Sequence, residues 1–174
     1  MCATKPILKL TLKYSRPMPS PTIHHTFALQ RSYAAAPERV FAAFADPAQK
    51  RSWFADGFTS HDVLSFELDF QVGGVERILY RFREGTPFPG TLLAMEGRIL
   101  EIVPGCRVVS ASSMAMAGRI FSASLVTADI VPTESGTDLT LTHQGAFFEN
   151  SDGPELRQAG WGKLLDHLEN ALAA

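Results

Sequence analysis

Between two stretches of helical periodicity lies a long middle section whose side chains alternate with a period of two. Turn signals interrupt it at short intervals, and this combination leaves little choice but an antiparallel meander. Phe66, Leu68, Phe70 and Val72 alternate with Ser65, Glu67, Asp69 and Gln71, which predicts a half-buried strand. Gly73-Gly74 offers the conformational freedom of a two-residue hairpin link. Ile78, Tyr80 and Phe82 then alternate with Arg77, Leu79, Arg81 and Arg83. Further links are expected from Glu84 to Gly90, at Pro104-Gly105, at Ala117-Gly118 and from Pro132 to Gly136. With a first strand around Ile23 to Tyr33, the expectation is seven strands, the last six joined by hairpins.

Helices bracket this section. Pro37 and Glu38 suit the first turn of a helix in which Val40, Phe41 and Phe44 share a face. Asp46-Pro47 stops it, and a short second helix is expected from Pro47 to Trp53. At the other end Asp152 and Glu155 have capping-box spacing, and Pro154 fits the first turn. Trp161, Leu164, Leu165, Leu168 and Leu172 then form one apolar stripe. Glu155, Arg157, Lys163, Asp166, His167 and Glu169 are assigned to the polar face. Gly160 and Gly162 flank Trp161, each costing about 1 kcal/mol of helix propensity against alanine, and their expected purpose is room.

A meander of this length coils, and its concave face needs a cover. The C-terminal helix is the one long amphipathic element left to supply it. The expected class is therefore α+β: a seven-stranded curved antiparallel sheet wrapped around a long C-terminal helix, with two short helices between strands 1 and 2. A helix about 10 Å across does not fill a strongly curved sheet. Large side chains, water or a ligand must take the remaining volume. The candidate lining set is Trp53, Phe66, Phe70, Tyr80, Met95, Met114, Met116, Phe121, His143, Trp161 and Leu165. Phenyl and thioether groups suit an adaptable apolar site, and the same groups also build ordinary cores.

Composition narrows the function classes. The 174 residues are 45% apolar and carry a formal charge of -2, so no broad basic field invites nucleic acid. No run approaches the ~18 apolar residues of a membrane helix, so membrane insertion is not expected. Cys2 and Cys106 are the two cysteines, which argues against a disulfide framework and for a reducing cytoplasm. Lys5, Lys9, Lys13 and Arg16 precede the first carboxylate, Glu38. Residues 1–22 read as an irregular leader, with Met18 an alternative start, and 23–174 as one domain. A monomer or homodimer is expected.

Chemistry is sparse. No G-x-S-x-G elbow is present, and Cys106 falls in a turn. His24-His25 point to opposite faces of a strand, and His61-Asp62 is assigned to a loop as a solvated pair. No metal site and no cofactor are expected. His143 shares strand parity with Leu139 and Leu141 and should face the covered side. There it is either a proton-transfer group, with Glu96 or Tyr80 as partner, or a core histidine satisfied by a neighbour. Arg98 and Glu96 reach the interior only if their ambiguous strand registers that way. Arg77, Arg81 and Arg83 form a basic edge assigned to the outer surface.

Several segments, in order, carry a family resemblance. The run Ala35-Ala36-Pro37-Glu38-Arg39-Val40-Phe41, then Asp46-Pro47 and Trp53-Phe54, resembles the opening of helix-grip proteins of the SRPBCC (START / Bet v 1-like) superfamily. Phe70 to Gly74 resembles their central hairpin, and Gly97 to Pro104 their fourth strand. Leu139 to His143 resembles their last strand, and Gly160-Trp161 with Leu164, Leu165 and Leu168 their closing helix. Within the superfamily the likeness is to the group named after the activator of heat-shock protein 90 ATPase. It implies an internal apolar cavity and binding of lipids, sterols or polyketides. The leading expectation is thus a binder of a hydrophobic or amphipathic small molecule. The alternatives are a cyclase- or dehydratase-like enzyme using His143, and a stress-related or chaperone-associated interaction module presenting Phe88. The eukaryotic co-chaperone also has a separate N-terminal docking domain, which the leader is not expected to supply.

Overall fold

Links too short for crossovers force each strand of the middle section to pair with its sequence neighbours. In a computed structural model, which describes residues 20–173, seven strands form one antiparallel sheet. They are β1 (Ile23–Tyr33), β2 (His61–Leu68), β3 (Val75–Phe82), β4 (Leu92–Val103), β5 (Arg107–Met116), β6 (Arg119–Thr133) and β7 (Gly136–Phe147). Their order is β1-β7-β6-β5-β4-β3-β2, so the meander runs across the sheet and β1 closes its far edge on β7. The sheet is curved and open, and the fold is the expected α+β helix grip. Cys2 and most of the leader lie outside the described residues.

Helices α1 (Pro37–Ala45) and α2 (Pro47–Lys50) follow β1, and α3 (Gly153–Ala173) closes the chain. Val40 and Phe44 of α1 are buried, as their spacing requires. Asp46 ends α1 and its carboxylate caps α2, accepting from the Gln49 N–H at 2.9 Å. The second helix was expected to run to Trp53, but its α geometry ends at Lys50. Arg51–Ala55 widens into a π-turn, with the Asp56 N–H donating to the Arg51 carbonyl at 3.0 Å. The extra residue per turn lets Trp53, Phe54 and Ala55 all turn inward. Leu165 and Leu168 of α3 are fully buried against this layer.

Three bulges interrupt the strands, each inserting one unpaired residue: Leu64 in β2, Leu100 in β4 and Phe121 in β6. Leu64 and Leu100 are thereby turned toward solvent, and the added twist helps the sheet curl. The β2–β3 link is longer than the expected Gly73-Gly74 pair, because β2 ends at Leu68 and β3 begins at Val75. Among the described residues, only Ala117-Gly118 makes a two-residue link with positive φ at both positions, 49° and 78°.

Candidate functional site

The interior space has a specific origin in the strand register. One cross-strand row places Gly97, Ser112, Ser124 and Gly145 side by side on β4, β5, β6 and β7. These four share strand parity with Met95, Met114, Val126 and His143, which face the helix. The middle of the concave face is therefore floored by the two serine hydroxymethyl groups, while the His143 and Phe147 rings close over Gly145 at the row's end. The Ser112 and Ser124 hydroxyls satisfy each other at 3.3 Å. Above them, Gly160 of α3 opens into the same space, since a Cβ built there would meet nothing within 4 Å.

The result is a cavity of about 220 Å³ between α3 and the sheet. Its apolar walls include Phe54, Phe58, Ile78, Tyr80, Leu93, Met95, Met114, Val126, Trp161 and Leu164. A smaller lobe of about 40 Å³ adjoins it, sharing Phe54, Met95, Ser112, Val126 and Trp161, and extends to Phe44, Lys50, Phe70 and Glu76.

Two ion pairs bound this space, and each is closed on itself. Arg157 is buried beneath α3 and grips Asp152 bidentately, through Nε and Nη2, both at 2.8 Å. Its Nη2 also donates to the buried Ser122 hydroxyl at 2.9 Å, and the guanidinium lies over the Phe147 ring. In the smaller lobe the Lys50 ammonium stands 3.4 Å from Glu76, with both side chains about nine-tenths buried. The rings of Phe44, Trp53 and Phe54 surround that ammonium at 4.9, 4.8 and 4.4 Å. A buried pair of this kind needs such supplementary contacts to offset desolvation.

His143 is fully buried, stacked on Phe27 with ring centroids 4.8 Å apart, and lines the cavity. Neither ring nitrogen has a hydrogen-bond partner. Burial, with Arg157 second, pushes its pKa down to about 4, so the ring is neutral at physiological pH. His61 lines the same cavity, with Nδ1 3.0 Å from the Ser60 hydroxyl and Nε2 unpartnered. Its pKa is likewise lowered, by burial and then by Arg83. Burial pushes the Tyr80 phenol up, which keeps its O–H protonated, and it donates to the Phe54 carbonyl at 3.5 Å.

Of the sequence-derived lining set, Phe70, Tyr80, Met95, Met114, His143 and Trp161 border the two connected spaces. Five others do not. Trp53 packs behind Phe54, its indole N–H given to the Ala43 carbonyl at 2.8 Å. Leu165 lies in the core beside Tyr33, whose hydroxyl donates to the Leu165 carbonyl. Phe66 packs at the core margin, Met116 sits at the hairpin end of β5, and Phe121 is displaced by its bulge. Glu96 and Arg98 face outward, and Glu96 pairs with Arg77, which removes it as a partner for His143. The basic edge is a surface network, with Arg77 also on Glu67, and Arg81 and Arg83 on Asp62. The Arg83 hydrogen bond holds the Asp62 carboxyl below its usual range.

Two polar residues at the cavity, His61 and Arg157, were expected elsewhere, and Glu76 in the smaller lobe was not singled out. His61 is a strand residue, not part of a solvated loop pair; the Leu64 bulge shifts its parity relative to Phe66 and hides the alternation. Arg157 belongs to the buried stripe by its spacing to Trp161 and Leu164, and Asp152 serves it instead of a capping box. Glu76 shares parity with Ile78 and Tyr80, a signal that was present in the strand. Among the described residues no group of three His, Cys, Asp or Glu converges, and no helix is long and apolar enough to cross a membrane.

The fold recurs in solved structures. An uncharacterised protein from Rhizobium leguminosarum is 31% identical with a TM-score of 0.81, covering 88% of this chain and 97% of its own. A protein from Rhizobium loti is 39% identical with a TM-score of 0.75, covering 87% and 99%. A more distant protein described as AHSA1-like, from Aeromonas hydrophila, shares the fold at 20% identity and a TM-score of 0.62, covering 86% and 92%. No curated protein sequence is significantly similar. The family described as activator of Hsp90 ATPase homolog 1-like protein matches residues 34–173, and the chain belongs to that family.

Proposed function

We propose that this protein binds an apolar or amphipathic small molecule in the cavity between α3 and the concave sheet. The observation that supports it is the pair Ser112 and Ser124 at the middle of the concave face, which keeps the floor low where larger residues would close it. The space of about 220 Å³, open beside the exposed Leu156, leaves thioethers and rings without packing partners that an apolar guest would supply. The family's fold commonly accommodates ligands, which agrees with this reading. A binder suits the groups present better than an acid–base enzyme does. With its pKa at about 4, His143 has little tendency to accept a proton near neutrality, and Glu96 is on the opposite face. The exposed Cys106 thiol suits a reducing compartment such as the cytoplasm.

Native mass spectrometry of the protein purified without denaturant, with thermal shift against lipid, sterol and aromatic panels, tests the proposal. A retained species or a saturable rise in melting temperature is expected. The absence of any bound species or shift across all three panels would remove it.

A further inference from the structure

The polar groups at the cavity wall carry information about the occupant's charge and head group. Resting on the cavity-binding reading, we infer that the occupant is an uncharged compound of one or two rings, bearing a hydroxyl or carbonyl that His143 and His61 hydrogen-bond.

Among the described residues, an anionic head group finds no free counter-ion at the cavity. Arg157 already holds both oxygens of Asp152, and Lys50 already faces Glu76. A carboxylate or phosphate would have to displace an existing buried carboxylate from either cation, exchanging one ion pair for another while stranding a charge. A cationic head group meets the same obstacle at Asp152 and Glu76.

In the larger space the unused capacity is neutral; the one buried carboxylate oxygen without a hydrogen bond, Glu76 Oε1, borders the smaller lobe and has the Lys50 ammonium 3.4 Å away. His143 leaves both ring nitrogens unpartnered and His61 leaves Nε2, with both side chains at least nine-tenths buried. An uncharged imidazole presents one donor and one acceptor, the complement of a hydroxyl or of a carbonyl beside a hydroxyl. Each buried polar atom left unpaired costs about 1–3 kcal/mol, so a ligand that pairs them gains what the empty site lacks. Burial keeps both rings uncharged at neutral pH, in agreement. The two histidines come from β7 and β2, second and last in the sheet, so they approach the cavity from opposite flanks. Tyr80, Met114 and Trp161 provide the apolar surroundings for a ring body. A space of about 220 Å³ exceeds the ~150 Å³ apolar cavity known to admit benzene, and it has room for a small ring system.

The test is a calorimetric titration of the whole protein with three near-isosteric probes: 2-naphthol, naphthalene and 2-naphthoate. The phenol is expected to bind at least about tenfold more tightly than either relative, the value of one well-made hydrogen bond. His143→Phe retains a ring on Phe27 and should narrow the naphthol-to-naphthalene ratio to within about twofold, with His61→Phe narrowing it partly. In the unmodified protein, the imidazole ¹⁵N resonances of His143 and His61 should move with naphthol and stay in place with naphthalene, a readout independent of how the variants fold. Naphthoate binding as tightly as naphthol overturns the inference while leaving cavity binding intact. So does a naphthol preference unchanged in both variants, or imidazole resonances that naphthol does not move. If none of the three probes perturbs the Met95 and Met114 methyl resonances, the cavity reading falls and this inference with it.

Discussion

Ser112 and Ser124 face each other across β5 and β6, their hydroxyls 3.3 Å apart at the centre of the concave sheet. The pair spends its polarity on itself and leaves volume above it, so the middle of the sheet neither fills its own core nor demands water. This gives a direct way to close the cavity. Ser124→Phe should occupy much of the space, reduce binding of any cavity ligand at least about tenfold, and change stability by no more than about 1 kcal/mol. Paired calorimetric titration and urea denaturation measure both. Undiminished affinity in a folded variant would place the ligand elsewhere.

Gly160 on α3 allows a complementary test at the roof. A Cβ there meets no atom within 4 Å, so alanine gains helix propensity without a clash. Gly160→Ala should raise stability by about 1 kcal/mol, read as a higher urea midpoint with unchanged slope. Gly57 predicts the opposite sign, because a Cβ built on it would overlap the His167 ring. Gly57→Ala should lower stability by about 1–3 kcal/mol on the same measurement, and neutrality there would contradict the packing of α3 on the π-turn.

Lys50 and Glu76 form the most deeply buried ion pair among the described residues. Truncating one partner should cost about 3–5 kcal/mol, because it strands the other charge beneath Phe54. Lys50→Met combined with Glu76→Leu should recover most of that loss. A double-mutant cycle by chemical denaturation reads the coupling. Additive single and double losses would show that the two side chains do not depend on one another.

Acid stability provides a separate test of the burial of His143. An unfolded histidine titrates near 6.5, whereas the folded ring, desolvated and facing Arg157, holds out to about 4, with Asp152 opposing and His25 assisting weakly. Between those values the unfolded chain binds the extra proton, so stability rises with pH. The contribution is complete above about pH 6.5 and is lost as pH falls toward 4. It amounts to about 2 kcal/mol after allowance for solvent screening at the cavity. Urea midpoints at pH 4.5 and 7.5 should differ less in His143→Phe than in the unmodified protein. Equal pH slopes would sink this point.

The fold was legible because its signals are local and redundant. Period-two alternation, Ala117-Gly118, the Pro37 and Pro47 helix starts and the Trp161 to Leu172 stripe each select the same architecture. The cavity wall was legible only in part, because which residue of a strand faces inward depends on bulges that sequence does not announce. Phe121 was lost to one bulge and His61 was hidden by another. Arg157 was assigned outward on chemistry although its spacing placed it inward, and Glu76 was not singled out although it shares parity with Ile78 and Tyr80. In both, a nearby opposite charge made burial tolerable, and that partnership is a tertiary fact. Trp53 lies one layer behind the wall because the π-turn, not an α-helix, sets its direction.

Intermolecular NOEs from a bound ring probe such as 2-naphthol test occupancy of the cavity most directly. Occupancy of the space under α3 predicts contacts from the probe to the Met95 and Met114 methyls and to the Trp161 indole, all lost in Ser124→Phe. A saturable probe that contacts none of these three side chains, or that contacts them equally in Ser124→Phe, would contradict it.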